Sequence, residues 1–195
     1  MMKICFATNN THKVREIAQL LGDKFALLSL ADISCQEELP ENQSTIVGNS
    51  EEKASYVYQQ YCIDCFADDT GLEVDALGGK PGVDSAHYAG PQRSSEDNMS
   101  LLLEELAPHS NRAAQFRTVI TLWLHDQMYQ FEGTVRGHIA RQRSGQQGFG
   151  YDPIFIPEGY DRSFAAMTME EKSKISHRGR AVKKLVEFLQ QFVEE

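Results

Sequence analysis

Two adjacent carboxylates, Asp68 and Asp69, follow a short apolar run and precede a threonine and a glycine. The run is typical of a buried strand, and the glycine predicts that the strand ends there in a loop. Burying an unpaired charge is costly, so buried carboxylates need a cationic partner. Because side chains alternate along a strand, the two should point to opposite faces. Such oxygen ligands suit Mg²⁺; a solvated acidic turn explains these residues equally well when they are taken alone.

A second candidate site is the polar segment Thr8–Lys13, which follows a predicted first strand and opens a predicted helix. Backbone N–H groups at a helix N-terminus bind anions, and the Lys13 ammonium adds a positive charge. Plain N-capping by Asn10 or Thr11 is the alternative. The segment is not a Walker A loop, because that pattern occurs nowhere in the chain.

Two more segments could meet a ligand. Phe149 lies between two glycines in the segment 144–153, and such a ring suits stacking on a planar base, unless it folds back onto the sheet. The segment 172–184 contains six Lys and Arg residues and no acid, although a solvated helix face would have the same composition. Cations, paired carboxylates and a stacking ring together predict a nucleoside triphosphate site.

Composition limits the classes of protein to consider. The 195 residues are 41% hydrophobic and 24% charged, as in an ordinary globular protein. The net charge of −9 argues against a nucleic-acid binder, which normally has a basic face. We find no signal peptide and no membrane-spanning stretch, and expect a soluble, cytoplasmic protein. The pair Cys62-x-x-Cys65 has redox or zinc spacing, but no second pair follows, and we expect a structural role.

Strands and helices must position these segments. Hydrophobic periodicity and turn residues predict the following elements. Strands are expected at 3–7, 25–30, 65–71, 72–75, 115–125 and 128–137, with an extension over 138–142. Helices are expected after Thr11, from about Asn49 to Tyr61, from Ser94 or Ser95, from a capping box at Thr168 and Glu171, and at the C-terminus, where Val182, Leu185, Leu189 and Phe192 should be buried. Gly22 is a plausible stop for the first helix.

Five ordered motifs resemble those of the Ham1-like family of inosine triphosphate pyrophosphatases, the XTP/dITP diphosphatases, and the resemblance runs from end to end. The motifs are Thr8-Asn9-Asn10-x-x-Lys13, Ala67-Asp68-Asp69-Thr70-Gly71-Leu72, Leu77-Gly78-Gly79-x-Pro81-Gly82, Gly148-Phe149-Gly150-Tyr151-Asp152-Pro153 and Glu171-Lys172-Ser173-x-x-Ser176-His177-Arg178-Gly179.

The resemblance implies an α/β fold with an elongated mixed β-sheet, flanking helices and two lobes around a central cleft. Residues 1–195 would form one domain, usually a homodimer. The implied reaction is hydrolysis of ITP, dITP or XTP to the monophosphate and diphosphate with Mg²⁺. By motif, Asp69 would be the general base and, with Asp68, a metal ligand. Substrate contacts would come from Thr8, Asn9, Asn10, Thr11, His12, Lys13, Lys53, Thr70, Phe149, Gly150, Tyr151, Asp152, Lys172, His177 and Arg178.

One departure from the family pattern concerns the metal. Many members have a metal-binding glutamate where this chain has Gly48, so we expect Glu51 or Glu52, or extra water, to compensate. The loop after Gly82 also departs, so a phosphate contact there is not expected. Two other functions stay open at this point: a catalytically weak nucleotide sensor, and a pyrophosphatase for other modified nucleotides.

Overall fold

The computed structural model of the chain describes residues 2–21 and 25–192. Within these residues there are seven strands and five α-helices. The strands are β1 (Met2–Phe6), β2 (Phe25–Leu28), β3 (Cys65–Val74), β4 (Pro81–Gly82), β5 (Ala113–Leu124), β6 (Gln127–Ile139) and β7 (Phe155–Pro157). The helices are α1 (Thr11–Leu21), α2 (Ile46–Tyr61), α3 (Ser95–Glu105), α4 (Met169–Ile175) and α5 (His177–Gln190).

The strands form one mixed sheet with the order β2-β1-β3-β5-β6-β7, and β4 pairs with β3. β1 runs parallel to both of its neighbours, with Cys5 opposite Cys65 on β3. β4 and β7 pair antiparallel with β3 and β6. β5 turns into β6 at His125 and Asp126, which both have positive φ, as a two-residue hairpin with the right-handed strand twist requires. The predicted mixed α/β fold is confirmed.

The chain divides into two compact units. Unit 1 comprises 1–69, 118–133 and 178–195, and unit 2 comprises 70–117 and 134–177. The chain therefore passes between the units four times, and two of these passages, at the bonds Asp69–Thr70 and His177–Arg178, lie inside two of the five motifs.

The core of unit 1 has two parts because β1 and β3 are covered on both faces. Phe6 and Phe66 stack on each other and pack with apolar residues of α1 and α5. Cys65 and Ala67 point the other way and pack with Ala54 and Val57 of α2. Alternation along β3 therefore directs Asp68 toward α1 and α5, and Asp69 toward α2.

Unit 2 has its own core. The end of β3, the first half of β5 and the helix α3 contribute buried residues, among them Leu72, Phe116 and Leu102. Phe116, Phe155 and Phe164 pack their rings together. The predicted caps in this unit are present, since Ser94 caps α3, and Thr168 with Glu171 forms the capping box of α4.

Four sequence predictions need correction or fall outside the described residues. The strand does not end at Gly71, because β3 continues to Val74 and pairs there with β4. α2 begins at Ile46, where Thr45 caps it, rather than at Asn49. Phe192 lies beyond the end of α5 and is exposed, whereas Val182, Leu185 and Leu189 are buried as predicted. Gly22 lies outside the described residues.

Within the described part of the chain, no helix has the length and apolarity needed to cross a bilayer.

All four cysteines are free, and only Cys62 is exposed. Burial raises the pKa of Cys5 to about 12 and raises that of Cys65 as well, so both thiols stay protonated. We expect a thiol reagent such as DTNB to modify Cys62 in the native protein and all four cysteines in urea. Rapid modification of Cys65, or a disulfide between Cys62 and Cys65, would contradict the structural role proposed for this pair.

Candidate active site

Asp68 is fully buried and held by two cations of unit 1. Its Oδ1 accepts a hydrogen bond from Lys13 Nζ at 2.8 Å, and its Oδ2 accepts one from Arg178 Nε at 3.3 Å. Burial alone would raise the pKa of Asp68, but the charges of Lys13, Arg178 and Lys53 outweigh it and lower the pKa to about 2. Asp68 is therefore ionised, with both oxygens engaged.

Asp69 is buried too, but its environment differs. The nearest cation is Lys53 of α2, whose Nζ is 3.8 Å from Oδ1. No donor among the described residues reaches Oδ2, although this oxygen is buried. Burial raises the pKa of Asp69, and the charges of Lys53 and Lys13 offset only part of that effect. Asp69 is thus the more basic of the two carboxylates and has a buried oxygen available for a ligand or a water molecule.

Glu41 brings a third carboxylate to the same place. Its Oε1 is 2.6 Å from Lys53 Nζ, so Glu41 and Asp69 converge on one ammonium group. Burial lowers the pKa of Lys53, but the charges of Asp69 and Glu41 raise it by more, and the side chain stays protonated. The carboxylate cluster of unit 1 consists of Asp68, Asp69, Glu41, Lys13, Lys53 and Arg178.

Arg178 belongs to this carboxylate cluster. Besides Asp68, its guanidinium binds Glu16, which lies one turn after Lys13 on α1. α1 therefore supplies one cation of the cluster, Lys13, which binds Asp68, and an anion beside the cluster, Glu16, which binds Arg178. The side chain of Arg178 is buried, so these ion pairs fix its position.

The segment Thr8–Lys13 opens α1. Asn10 Oδ1 accepts hydrogen bonds from the backbone N–H groups of His12 and Lys13, at 3.0 and 3.2 Å. Asn10 is thus the N-cap, which confirms the capping interpretation; a role in anion binding stays a prediction. Asn9, Thr11 and His12 are exposed, and Thr8 and Asn10 are half-buried.

In unit 2, Asp152 organises the Phe149 loop (residues 144–153). Its Oδ2 accepts hydrogen bonds from the backbone N–H of Phe149 at 2.8 Å and from Lys172 Nζ at 2.7 Å. Lys172 also lies over the ring of Phe149, 5.1 Å from its centroid. Both Asp152 and Lys172 are buried, whereas Phe149 is half-buried and is not among the described core residues of unit 2.

Three more predicted site residues lie in unit 2. The ring of Tyr151 is part of the core, and its hydroxyl donates to Ser85 O at 2.9 Å, so Tyr151 anchors the loop rather than presenting its ring. His177 is buried and stacks on Phe116, with ring centroids 4.5 Å apart. Thr70 is half-buried in β3, directly after Asp69.

The Phe149 loop gives a prediction at Gly148. A Cβ atom there would lie 2.1 Å from Asp152 Oδ2, and φ is +76°. Gly159 has a similar φ of +83° but open space around it. We therefore expect Gly148→Ala to lower the free energy of unfolding by about 2 kcal/mol more than Gly159→Ala, because it displaces Asp152 as well as straining the backbone. Urea unfolding measures both; equal losses would contradict this account of Asp152.

Sequence reasoning missed two members of this arrangement, Glu41 and Glu16. Glu41 lies in an acidic segment that reads as an ordinary polar loop, and Glu16 reads as a residue on a solvated helix face. Glu51 and Glu52, which were expected to compensate for Gly48, have different environments. Glu52 binds the backbone N–H of Asn42 and the side chain of Gln43, and so is engaged in holding that loop. Glu51 is half-buried on α2.

Known proteins resemble this chain over most of its length. The model of the Ham1 family matches residues 4–188. A dITP/XTP pyrophosphatase of Flavobacterium psychrophilum is 52% identical over 187 residues, covering 96% of this chain and 98% of the relative. One of Porphyromonas gingivalis is 49% identical over 191 residues, covering 97% and 98%.

Solved structures give the same result. The Ham1 protein of Staphylococcus aureus has a TM-score of 0.89 and 36% identity, covering 97% of this chain and 98% of its own. The HAM1 protein of Coxiella burnetii has a TM-score of 0.90 and 34% identity, covering 98% and 100%. The resemblance predicted from five ordered motifs is confirmed, and the chain belongs to the Ham1 family.

Proposed function

We propose that this protein hydrolyses the non-standard purine nucleoside triphosphates ITP, dITP and XTP to the monophosphate and diphosphate. One observation carries the proposal: a buried, basic carboxylate, Asp69, has an available oxygen and feels the charges of two cations, Lys53 and Lys13. Cations of this kind neutralise phosphate charge, and such a carboxylate deprotonates water. The names of the relatives, dITP/XTP pyrophosphatases, support the choice of substrate.

The carboxylate cluster also fits a divalent metal ion, which we propose to be Mg²⁺. Among the described residues, no group of three or more His, Cys, Asp and Glu side chains is arranged to hold a metal alone. Mg²⁺ needs only one or two carboxylates when substrate phosphates and water complete its shell. Asp69 and Glu41 fit that role, because they already share one cation, Lys53. Asp68 fits it poorly, because Lys13 and Arg178 engage both of its oxygens.

In the proposed reaction, Asp69 takes a proton from the water that attacks the α-phosphorus, the bond from the α-phosphorus to the α–β bridging oxygen breaks, and diphosphate leaves. Lys13 and Lys53 neutralise the charge of the phosphate oxygens, and Asp68 holds Lys13 and Arg178 in place. When bound, the metal ion would add positive charge at the phosphates and make the attacking water more acidic. The raised pKa of Asp69 suits a general base, because it brings the pKa of the carboxyl group closer to that of the water molecule that gives up the proton.

The Phe149 loop is the proposed contact for the base. Phe149 would stack on the purine, and Lys172 would act by holding Asp152 and thereby the loop. Hypoxanthine and xanthine present a 6-oxo acceptor, which a donor such as His177 or a loop N–H would satisfy. Adenine would place an amino donor there and leave that protein donor unpaired, a cost that rejects ATP.

Three further proposals follow from the family resemblance. Because the motifs fall in both units, we propose that residues 1–195 act as a single domain. The homodimer and the cytoplasmic location also stay proposals. Light scattering coupled to size-exclusion chromatography tests the dimer, for which the mass should be twice 22.0 kDa.

Product analysis tests the proposed function. The protein is incubated with Mg²⁺ and dITP, XTP, dGTP or ATP, and the products are separated by anion exchange. We expect monophosphate and diphosphate from dITP and XTP, and little product from dGTP and ATP. Release of orthophosphate instead would overturn the proposal, and tight binding of dITP without products would favour a nucleotide sensor.

A further inference from the structure

The segment that carries Glu41 has no regular structure of its own. Residues 36–45 belong to no helix or strand. Hydrogen bonds to the side chains of α2 hold this segment against the helix. Glu52 accepts from the backbone N–H of Asn42 at 2.8 Å, and Asn49 accepts from that of Gln43 at 2.9 Å. Glu41 precedes these two anchored residues directly, so its place depends on them.

The side chain of Gln43 fills the space beside Gly48. A Cβ atom on Gly48 would lie 2.7 Å from Gln43 Cβ and 3.1 Å from Gln43 Cγ. The amide of Gln43 reaches on to donate to Glu52 Oε1 at 3.2 Å. Gln43 is therefore packed at its base against Gly48 and bonded at its tip to Glu52, while its backbone is bonded to Asn49.

We infer that Gln43 is a positioning residue that keeps the Glu41 carboxylate at Lys53 and Asp69, and that Gly48 provides the room it needs. The absence of a side chain at position 48 is also what allows the segment 41–43 to lie close against the helix. Glu41 thus enters the carboxylate cluster from a loop that Gln43, Asn49 and Glu52 fix in place. This inference rests on the proposed function only in assigning Glu41 to the metal.

Metal binding without substrate tests the inference first. Mn²⁺ binding is followed by electron paramagnetic resonance for wild type, Glu41→Gln, Gln43→Ala and, as a matched control, Gln60→Ala, an exposed glutamine near the end of α2. We expect the Kd for Mn²⁺ to rise roughly tenfold in Gln43→Ala and to stay unchanged in Gln60→Ala. Gln43→Ala and Gln60→Ala should both keep the wild-type melting temperature. An unchanged Kd in Gln43→Ala, with a raised one in Glu41→Gln, would overturn the inference.

A double-mutant cycle tests the contact with Gly48. Alanine at position 48 is a better helix former than glycine, yet Gly48→Ala should weaken Mn²⁺ binding because it displaces Gln43. In a Gln43→Gly background both contacts with the Gln43 side chain are gone and only Thr45 Oγ1, at 3.0 Å, stays close to the added Cβ, so Gly48→Ala should have little further effect. Additive losses would contradict the inference, because residues that act independently give additive effects.

Amide hydrogen exchange separates this inference from the proposed function. The Asn42 amide should exchange at least tenfold faster in Gln43→Ala than in wild type, whether or not a metal binds. Unchanged exchange would overturn the positioning role. If the wild-type protein binds neither Mn²⁺ nor Mg²⁺ while this exchange difference is found, the metal assignment fails and the positioning of Glu41 stands.

Discussion

Replacing Asp69 by asparagine is expected to lower kcat for dITP by roughly a thousandfold, because the variant has no base to deprotonate the attacking water. At saturating Mg²⁺, KM should change little, since the cations proposed to bind phosphate stay in place. The melting temperature should be at least that of the wild type. Burial opposes ionisation of Asp69, so the neutral amide is the better buried group.

The matched control for this variant is Asp75→Asn. Asp75 follows β3 directly and is exposed. The Asp75→Asn variant should keep the wild-type kcat. That result would show that the loss of kcat is specific to Asp69 and does not follow from replacing any aspartate near β3. Wild-type turnover by Asp69→Asn would remove Asp69 from the mechanism.

The second large effect is expected at Asp68, on stability. Asp68→Asn would leave the buried charges of Lys13 and Arg178 without their shared carboxylate. Removing one partner of a buried ion pair is much more costly than never having the pair, so we expect a loss of about 3–5 kcal/mol in the free energy of unfolding. Urea unfolding at pH 7 measures it; Asp75→Asn again serves as the control and should unfold like the wild type.

The same variant gives a pH dependence with a definite sign. The pKa of Asp68 is lowered from 3.8 to about 2 on folding, so its ionised form stabilises the protein above pH 3.8. That contribution is lost as the pH falls from 3.8 toward 2. The stability difference between wild type and Asp68→Asn should therefore narrow over this range. A difference that stays constant down to pH 2 would mean that Asp68 does not titrate as the ion pairs require.

The sequence predicted the elements that local patterns determine. Alternation gave β5, the capping box gave α4, and the apolar spacing gave the buried positions of α5. Such patterns depend on neighbours along the chain and are visible without the fold. The same alternation predicts that the side chains of Asp68 and Asp69 point to opposite faces of β3. Their partners confirm this, because Asp68 binds cations of α1 and α5 whereas Asp69 lies near Lys53 of α2.

Predictions failed where contacts between residues distant in sequence determine the structure. The glycine after the two aspartates suggested a strand end, but β4 pairs with the continuing strand and stabilises it. Glu41 was missed because nothing local distinguishes it from other acidic loop residues. Only the fold shows that Glu52 and Asn49 hold its loop against α2. The substrate contact expected of Arg178 stays a prediction. The sequence did not show that its carboxylate partners, Asp68 and Glu16, which lie far away along the chain, place it in the carboxylate cluster.

The most direct test of the proposed mechanism is hydrolysis of dITP in ¹⁸O-labelled water. If Asp69 directs water to the α-phosphorus, the label should appear in dIMP, and the released diphosphate should contain none. Mass spectrometry of the two products distinguishes the possibilities. Label in the diphosphate would mean attack at the β-phosphorus and would contradict the role assigned to the carboxylate cluster.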